Sequence, residues 1–300
     1  MENHHVWCGT IIKHDGKYHL YFSFWDKKHG HNGWVTHSKI GHAVSDNLLE
    51  PFVYKDIALD GSDNGFDADV VHNPSVLAYN GKYYMYYMGN YGNGEYWNHR
   101  NHQRIGVAVT DSPDGEWKRF DTPLIDVSVG SWDHLMVSNP TVTVGRNGKF
   151  VMMYKGVSEA VVCGIATADD PLGPFVKQSA PIMVNPENNW SVEDPFIWYD
   201  EADDIYYALV KDFQGYFTGT GTSCTALFTS YDGYDWKPAD NPFAFDKTIR
   251  WNDGTITNCH RLERPQIYFE NGEPKILSCA VAEDSELNIT YNIQIKLRRN

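Results

Sequence analysis

Val192-Glu193-Asp194-Pro195-Phe196-Ile197-Trp198-Tyr199 sets two carboxylates directly before a proline and a short apolar run that reads as a strand. The same grammar recurs as His72-Asn73-Pro74-Ser75-Val76-Leu77, Ser138-Asn139-Pro140-Thr141-Val142-Thr143 and Glu263-Arg264-Pro265-Gln266-Ile267-Tyr268. A degenerate copy stands at Trp7-Cys8-Gly9-Thr10-Ile11-Ile12. Five copies of one strand onset predict five similar units.

Moving outward, each onset is followed by a turn and a second strand. Gly16-Lys17-Tyr18-His19-Leu20-Tyr21, Gly81-Lys82-Tyr83-Tyr84-Met85-Tyr86 and Gly148-Lys149-Phe150-Val151-Met152-Met153 are nearly superposable, and weaker copies begin at Asp204 and Glu273. A third strand follows at Gly41, Gly106, Gly164 and Ala226, in steps of 65, 58 and 62 residues. Turn-rich tags such as Asp111-Ser112-Pro113-Asp114-Gly115-Glu116-Trp117 come next. Five units of about 60 residues fill the 300 available and predict an all-β chain, a single five-bladed β-propeller domain over residues 1–300. No segment has helical periodicity. Insertions at residues 23 to 40, 90 to 104 and 212 to 224 are longer than a hairpin needs and are read as functional loops.

Composition narrows the partners. The 19 Tyr, 14 Phe and 10 Trp favour strands, and the formal charge of −14 argues against a nucleic-acid backbone as partner. The five cysteines, at 8, 163, 224, 259 and 279, have no metal-type spacing and are expected as buried thiols. The thirteen histidines show no HExxH-type pattern, so no metal is expected. No apolar run is long enough to cross a bilayer, which leaves a soluble chain expected, cytoplasmic or exported.

In a propeller the positions just before each proline motif converge on one end of the channel. Here they supply Trp7 and Cys8, His72 and Asn73, Ser138 and Asn139, Glu193 and Asp194, Glu263 and Arg264. That polar, acidic and aromatic set suits a sugar. Cleaving a glycosidic bond needs one carboxylic acid and one carboxylate, and Glu193, Glu263 and Asp194 supply enough of both. Trp7, His72, Asn73, Asn139 and Arg264 are candidate substrate contacts, as are Lys155 and Lys211 at the ends of second strands. Asp69, Asp67 and His260 are further candidates, and His72 and His260 could carry protons near neutral pH. The competing reading of the two glutamates is a structural ion pair with Arg261 or Arg264.

The proline motif, the Asn-Gly-Lys-Tyr-Tyr turn and Ile105-Gly106-Val107-Ala108-Val109-Thr110 with its tag resemble the five-bladed glycoside hydrolases of families 43 and 117. The resemblance covers all five units. It implies a general acid at Glu193, a base Asp on the first blade and a tuning Asp on the third. This chain has Trp7 and Cys8, and Asn139, at those last two places. Relatives sometimes hold calcium or another ion in the channel; the chain itself implies no cofactor. The expected function is an exo-acting glycoside hydrolase working on an oligosaccharide. The alternatives are a non-catalytic sugar-binding propeller and a glycoside phosphorylase, the latter disfavoured because the convergent positions carry no obvious cluster of Arg and Lys.

Overall fold

The structure is a computed structural model that describes residues 1–297. Every onset motif opens the innermost strand of an antiparallel sheet: His4–His14, Val70–Tyr79, Met136–Val144, Val192–Asp200 and Arg261–Glu270. The second and third strands follow in the order read from the sequence, and a fourth edge strand completes the first four sheets. The fifth has three strands, ending with Thr290–Lys296. The five sheets stand as the blades of a propeller.

The proline explains a feature shared by all five inner strands. Lacking an N–H, proline cannot serve a continuous ladder and is tolerated at a bulge. In four blades the pairing slips there, between His72 and Ser75, Glu193 and Phe196, Glu263 and Gln266, and opposite Met153 and Lys155. In the first blade glycine takes the place of proline, and the slip falls between Trp7 and Gly9. The residue inside each bulge is left-handed: Cys8 at φ 41°, Asn73 at 54°, Asn139 at 54°, Asp194 at 56° and Arg264 at 55°. Asn and Asp tolerate that region, whereas Cys and Arg are held there at a cost of about 1 kcal/mol each.

Apolar cores lie between blades rather than within one. Met153 and Ile165 of the third blade pack on Val210 and Phe228 of the fourth, and Phe22 and Phe24 of the first join Tyr268 and Ile276 of the fifth. The tyrosine that ends two of the second-strand repeats ties neighbours together. Tyr21 Oη donates to the Pro113 carbonyl at 2.7 Å, and Tyr86 Oη to the Pro171 carbonyl at 2.9 Å, each in the turn tag of the next blade. The repeated third-strand glycine seats an aromatic ring: a Cβ at Gly164 would come within 2.1 Å of Trp132.

Two insertions hold short helices, Trp34–His37 and Tyr96–Asn101, in a chain expected to have none. One or two turns are too short to impose a 3.6-residue pattern on a sequence. All five cysteines are buried and unpaired. Among the described residues, no helix is long and apolar enough to cross a membrane.

Candidate active site

The five bulge residues meet at the axis. Cys8 Sγ donates to Asn73 Oδ1 at 3.4 Å, Asn73 Nδ2 to Asn139 Oδ1 at 2.6 Å, and Asn139 Nδ2 to Asp194 Oδ1 at 2.7 Å. Arg264 Nη1 reaches the same Asp194 oxygen at 3.4 Å. All five are buried, and together they floor the end of the channel.

The residue one step earlier faces the cleft above that floor. Glu193 and Glu263, from adjacent inner strands, are bridged by Lys211 at the end of the fourth blade's second strand. Because Lys211 Nζ lies 3.1 Å from Glu193 Oε1 and 2.5 Å from Glu263 Oε1, those oxygens are at most about 5.6 Å apart, a ceiling below the separation of about 6.5 Å or more at which two carboxylates admit a water between them. Lys155 Nζ holds the other oxygen of Glu193 at 3.2 Å. Arg261 stands 3.9 Å from Glu263.

Burial alone would push the Glu193 carboxyl up, but Lys155 and Lys211 outweigh it and hold the group at about 2. Burial and the adjacent Glu193 charge push Asp194 up, to about 6, against the pull of Arg264. Burial would lower the Lys211 ammonium, and Glu263 and Glu193 reverse this, keeping it charged.

The cleft comprises a cavity of about 430 Å³ and, at its base, a recess of about 100 Å³. Trp34, Lys155, Glu193, Arg261 and Glu263 line both. Trp34 and Tyr96, edge to face at 6.2 Å, bring the two helical insertions to the rim.

Of the residues singled out in the sequence, Glu193, Glu263, Lys155, Lys211 and His260 line the cavity. Trp7, His72, Asn73, Asn139, Asp194 and Arg264 line the recess. Asp69 is not among them: it accepts from the Gly92 N–H at 2.8 Å, in the loop that leads to the second helix. Asp67 is buried against Tyr87 and Arg119, a structural pin. His72 is no proton carrier near neutral pH, since burial and then the Arg264 charge hold it well below its ordinary range; its Nδ1 pairs with Ser38 Oγ at 2.7 Å.

The convergent positions carry Arg264 as their one basic residue, but the cleft as a whole is more basic than those positions. Lys155, Lys211, Lys247, Arg100, Arg261 and Arg264 line the cavity and recess, against Glu193, Asp194, Asp246 and Glu263. Arg264 comes from a convergent position and Lys155 and Lys211 from the ends of second strands, all three legible from the repeat, whereas Arg100 and Lys247 lie between strands, where repeat phase aligns nothing. Trp34, Tyr96, Arg100 and His31 were missed for the same reason, being placed by insertions that the repeat does not align.

One group outside the cleft has metal-type donors, His19, His42 and Asp114, between the first two blades. Its imidazole nitrogens bond each other at 2.9 Å and Lys55 holds Asp114 at 2.5 Å, so the set is satisfied as a hydrogen-bonded network.

Comparison with known proteins agrees with this architecture. A xylosidase/arabinosidase of Bacteroides ovatus is 25% identical over 223 residues, 65% of this chain and 62% of that protein, so the match spans under two thirds of the relative. Among solved structures, a family 117 glycoside hydrolase of Zobellia galactanivorans superposes with a TM-score of 0.67 at 20% identity, over 98% of this chain and 84% of that one. A thermostable family-43 glycoside hydrolase gives 0.66 at 16% identity, over 98% and 91%. Residues 9–162, half of the chain, match the model for the N-terminal domain of glycosyl hydrolases family 32, and the chain belongs to that family.

Proposed function

We propose that this chain is a glycoside hydrolase that removes one terminal sugar from an oligosaccharide, with Glu193 and Glu263 as its carboxylate pair. The observation that carries the reading is the shared Lys211, which keeps an oxygen of each carboxylate within about 5.6 Å of the other, short of the wider separation that an inverting enzyme leaves for its water. Family membership and the name of the Bacteroides ovatus relative support the reaction class. The hydrogen-bonded floor and the walls raised by Trp34 and Tyr96 support exo action, because a blind cavity admits a chain end and not a chain middle.

The two lysines around Glu193 favour an exchange of the roles that family resemblance implies. A carboxyl held at about 2 is a poor proton donor at neutral pH and a good nucleophile. Glu193 attacks the anomeric carbon while Glu263, which takes up a proton and gives up its ion pair with Lys211 in the substrate complex, delivers that proton to the departing oxygen. Water, deprotonated by Glu263, then cleaves the glycosyl ester and restores both groups. Asp194 positions Glu193 from below through the Asn139 and Arg264 contacts.

The test uses a panel of aryl pentosides and hexosides, including xylosides and arabinosides. Glu193→Gln and Glu263→Gln should each lower kcat by about 100-fold or more. Azide should rescue Glu263→Gln as a glycosyl azide of retained configuration. Sugar binding without release of the aryl group in wild type would leave a sugar-binding propeller, and an inverted product would remove the Glu193 nucleophile.

A further inference from the structure

We infer that the recess at the base of the cleft takes an anionic substituent of the terminal sugar, making the substrate an acidic glycoside of the uronate type. This rests on the glycosidase reading of the same cleft. Size is the first observation. At about 100 Å³ the recess is too small for a sugar ring and ample for a carboxylate, whereas the adjoining 430 Å³ accommodates the ring itself.

The second is unmet hydrogen bonding. Arg264 is 2% exposed, and its Nε and Nη2 have no partner, although its Nη1 reaches Asp194. Both ring nitrogens of His31, also lining the recess, are buried without a partner. A buried guanidinium left half unpaired costs more than one that is met, so this arrangement calls for an acceptor, best a charged one. Arg264 is also an unusual residue to hold left-handed at a bulge, and that backbone brings its head to the axis.

Charge is the third. The walls carry six lysines and arginines against four carboxylates in a chain of net charge −14. The excess is wider still in the state that receives substrate, because a carboxyl that holds its proton for the leaving group is neutral. Lys155 and Lys211 are committed to the glutamates, but Arg264 Nε and Nη2 are not. A pentopyranose, with no carbon beyond its ring, or a pentofuranose, with only a neutral hydroxymethyl, would leave these donors without a charged acceptor. The carboxylate of a hexuronate would meet them with two oxygens.

The decisive experiment is calorimetric titration of the whole chain at pH 7 with glucuronate and galacturonate, each beside glucose, galactose, xylose and arabinose. It is run on wild type and on Arg264→Lys, which keeps a cation beside Asp194 but loses the two free nitrogens. The melting temperature is recorded for both. At least one uronate should bind about tenfold or more tighter than its neutral counterpart, and that preference should fall below about threefold in Arg264→Lys. Equal or tighter binding of the neutral sugars overturns the inference, and so does a uronate preference that Arg264→Lys leaves intact. Turnover of neutral aryl glycosides in either case would leave the glycosidase reading standing. Failure of every sugar to bind, with no aryl glycoside cleaved, brings down that reading and this one together. If inorganic phosphate competes with the uronate and appears in the product as a sugar phosphate, the recess belongs to phosphate and the uronate assignment falls.

Discussion

The ammonium group of Lys211 stands between two carboxylates that would otherwise repel each other at short range in a half-dry cleft. Replacing it with methionine leaves Glu263 without its lysine and Glu193 with Lys155 alone. Two crowded carboxylates bind protons more readily than in the unfolded chain. Their penalty is therefore largest at neutral pH and shrinks as pH falls towards the ordinary carboxylate range. Lys211→Met should accordingly melt several degrees below wild type at pH 7 and close part of that gap by pH 5, while the acid limb of its kcat/KM profile moves upward. Wild-type Glu193 has the opposite sign. Its depressed carboxyl adds stability that is complete above about 4.5 and is lost as pH falls towards 2. A Lys211→Met variant with a wild-type pH profile would show that the shared ammonium does not set the charge state of the pair. Lys211 could be named as a site residue because it ends a repeated strand; Arg261 was legible only as an ion-pair partner of the glutamates, since its place on the cleft wall lies in where the chain enters the fifth blade.

At the scale of the element, the five bulges explain why this chain departs from the family pattern at Asn139. That side chain donates to Asp194 at 2.7 Å, and a carboxylate there would face another across the same gap. Asn139→Asp should lower the melting temperature at pH 7, equivalent to about 2 kcal/mol or more, with recovery at acid pH where one of the two oxygens takes a proton. A thermal scan at pH 4.5 and at pH 7 reads the sign; equal losses at both would mean that lost donation, not repulsion, is responsible. The proline motifs made the bulges legible as repeats. Their left-handed backbone was not legible, because Asn and Asp before proline also fit an ordinary turn. The insertions are the reverse case: their length announced function, while which aromatic would face the cleft stayed hidden. Trp97 is 64% exposed under the Arg100 guanidinium, and it is Trp34 that stacks on His72 and lines the cleft. Trp34→Ala should raise KM about tenfold with kcat much less affected; an equal loss in kcat would instead place Trp34 in the transition state.

Across the whole molecule, the repeat period dictated both the ring and the adjacency of the fourth and fifth blades, and with it the meeting of Glu193 and Glu263. What the period could not dictate is how the ring closes, since the last blade has three strands and the first onset motif is degenerate. Closure rests on the apolar packing of Phe22 and Phe24 with Tyr268 and Ile276, and on polar ties from the last strand. Thr290 Oγ1 meets His5 Nδ1 at 3.0 Å and the Val6 N–H at 3.3 Å, and Asn292 Nδ2 donates to the Cys8 carbonyl at 2.7 Å. In a linear array, loosening one end frays that end first; in a closed ring every blade has two neighbours, so the loss is shared. Thr290→Val combined with Asn292→Leu should cost about 2 kcal/mol and move one calorimetric transition down by a few degrees, with activity vanishing over that same range. The proposed carboxylate pair spans the fourth and fifth blades, and the fifth borders the seam, so a ring that opened locally would lose turnover before it lost bulk structure. A low-temperature shoulder that carries the activity loss, followed by an unshifted main transition, would mean that the fifth blade behaves as an end.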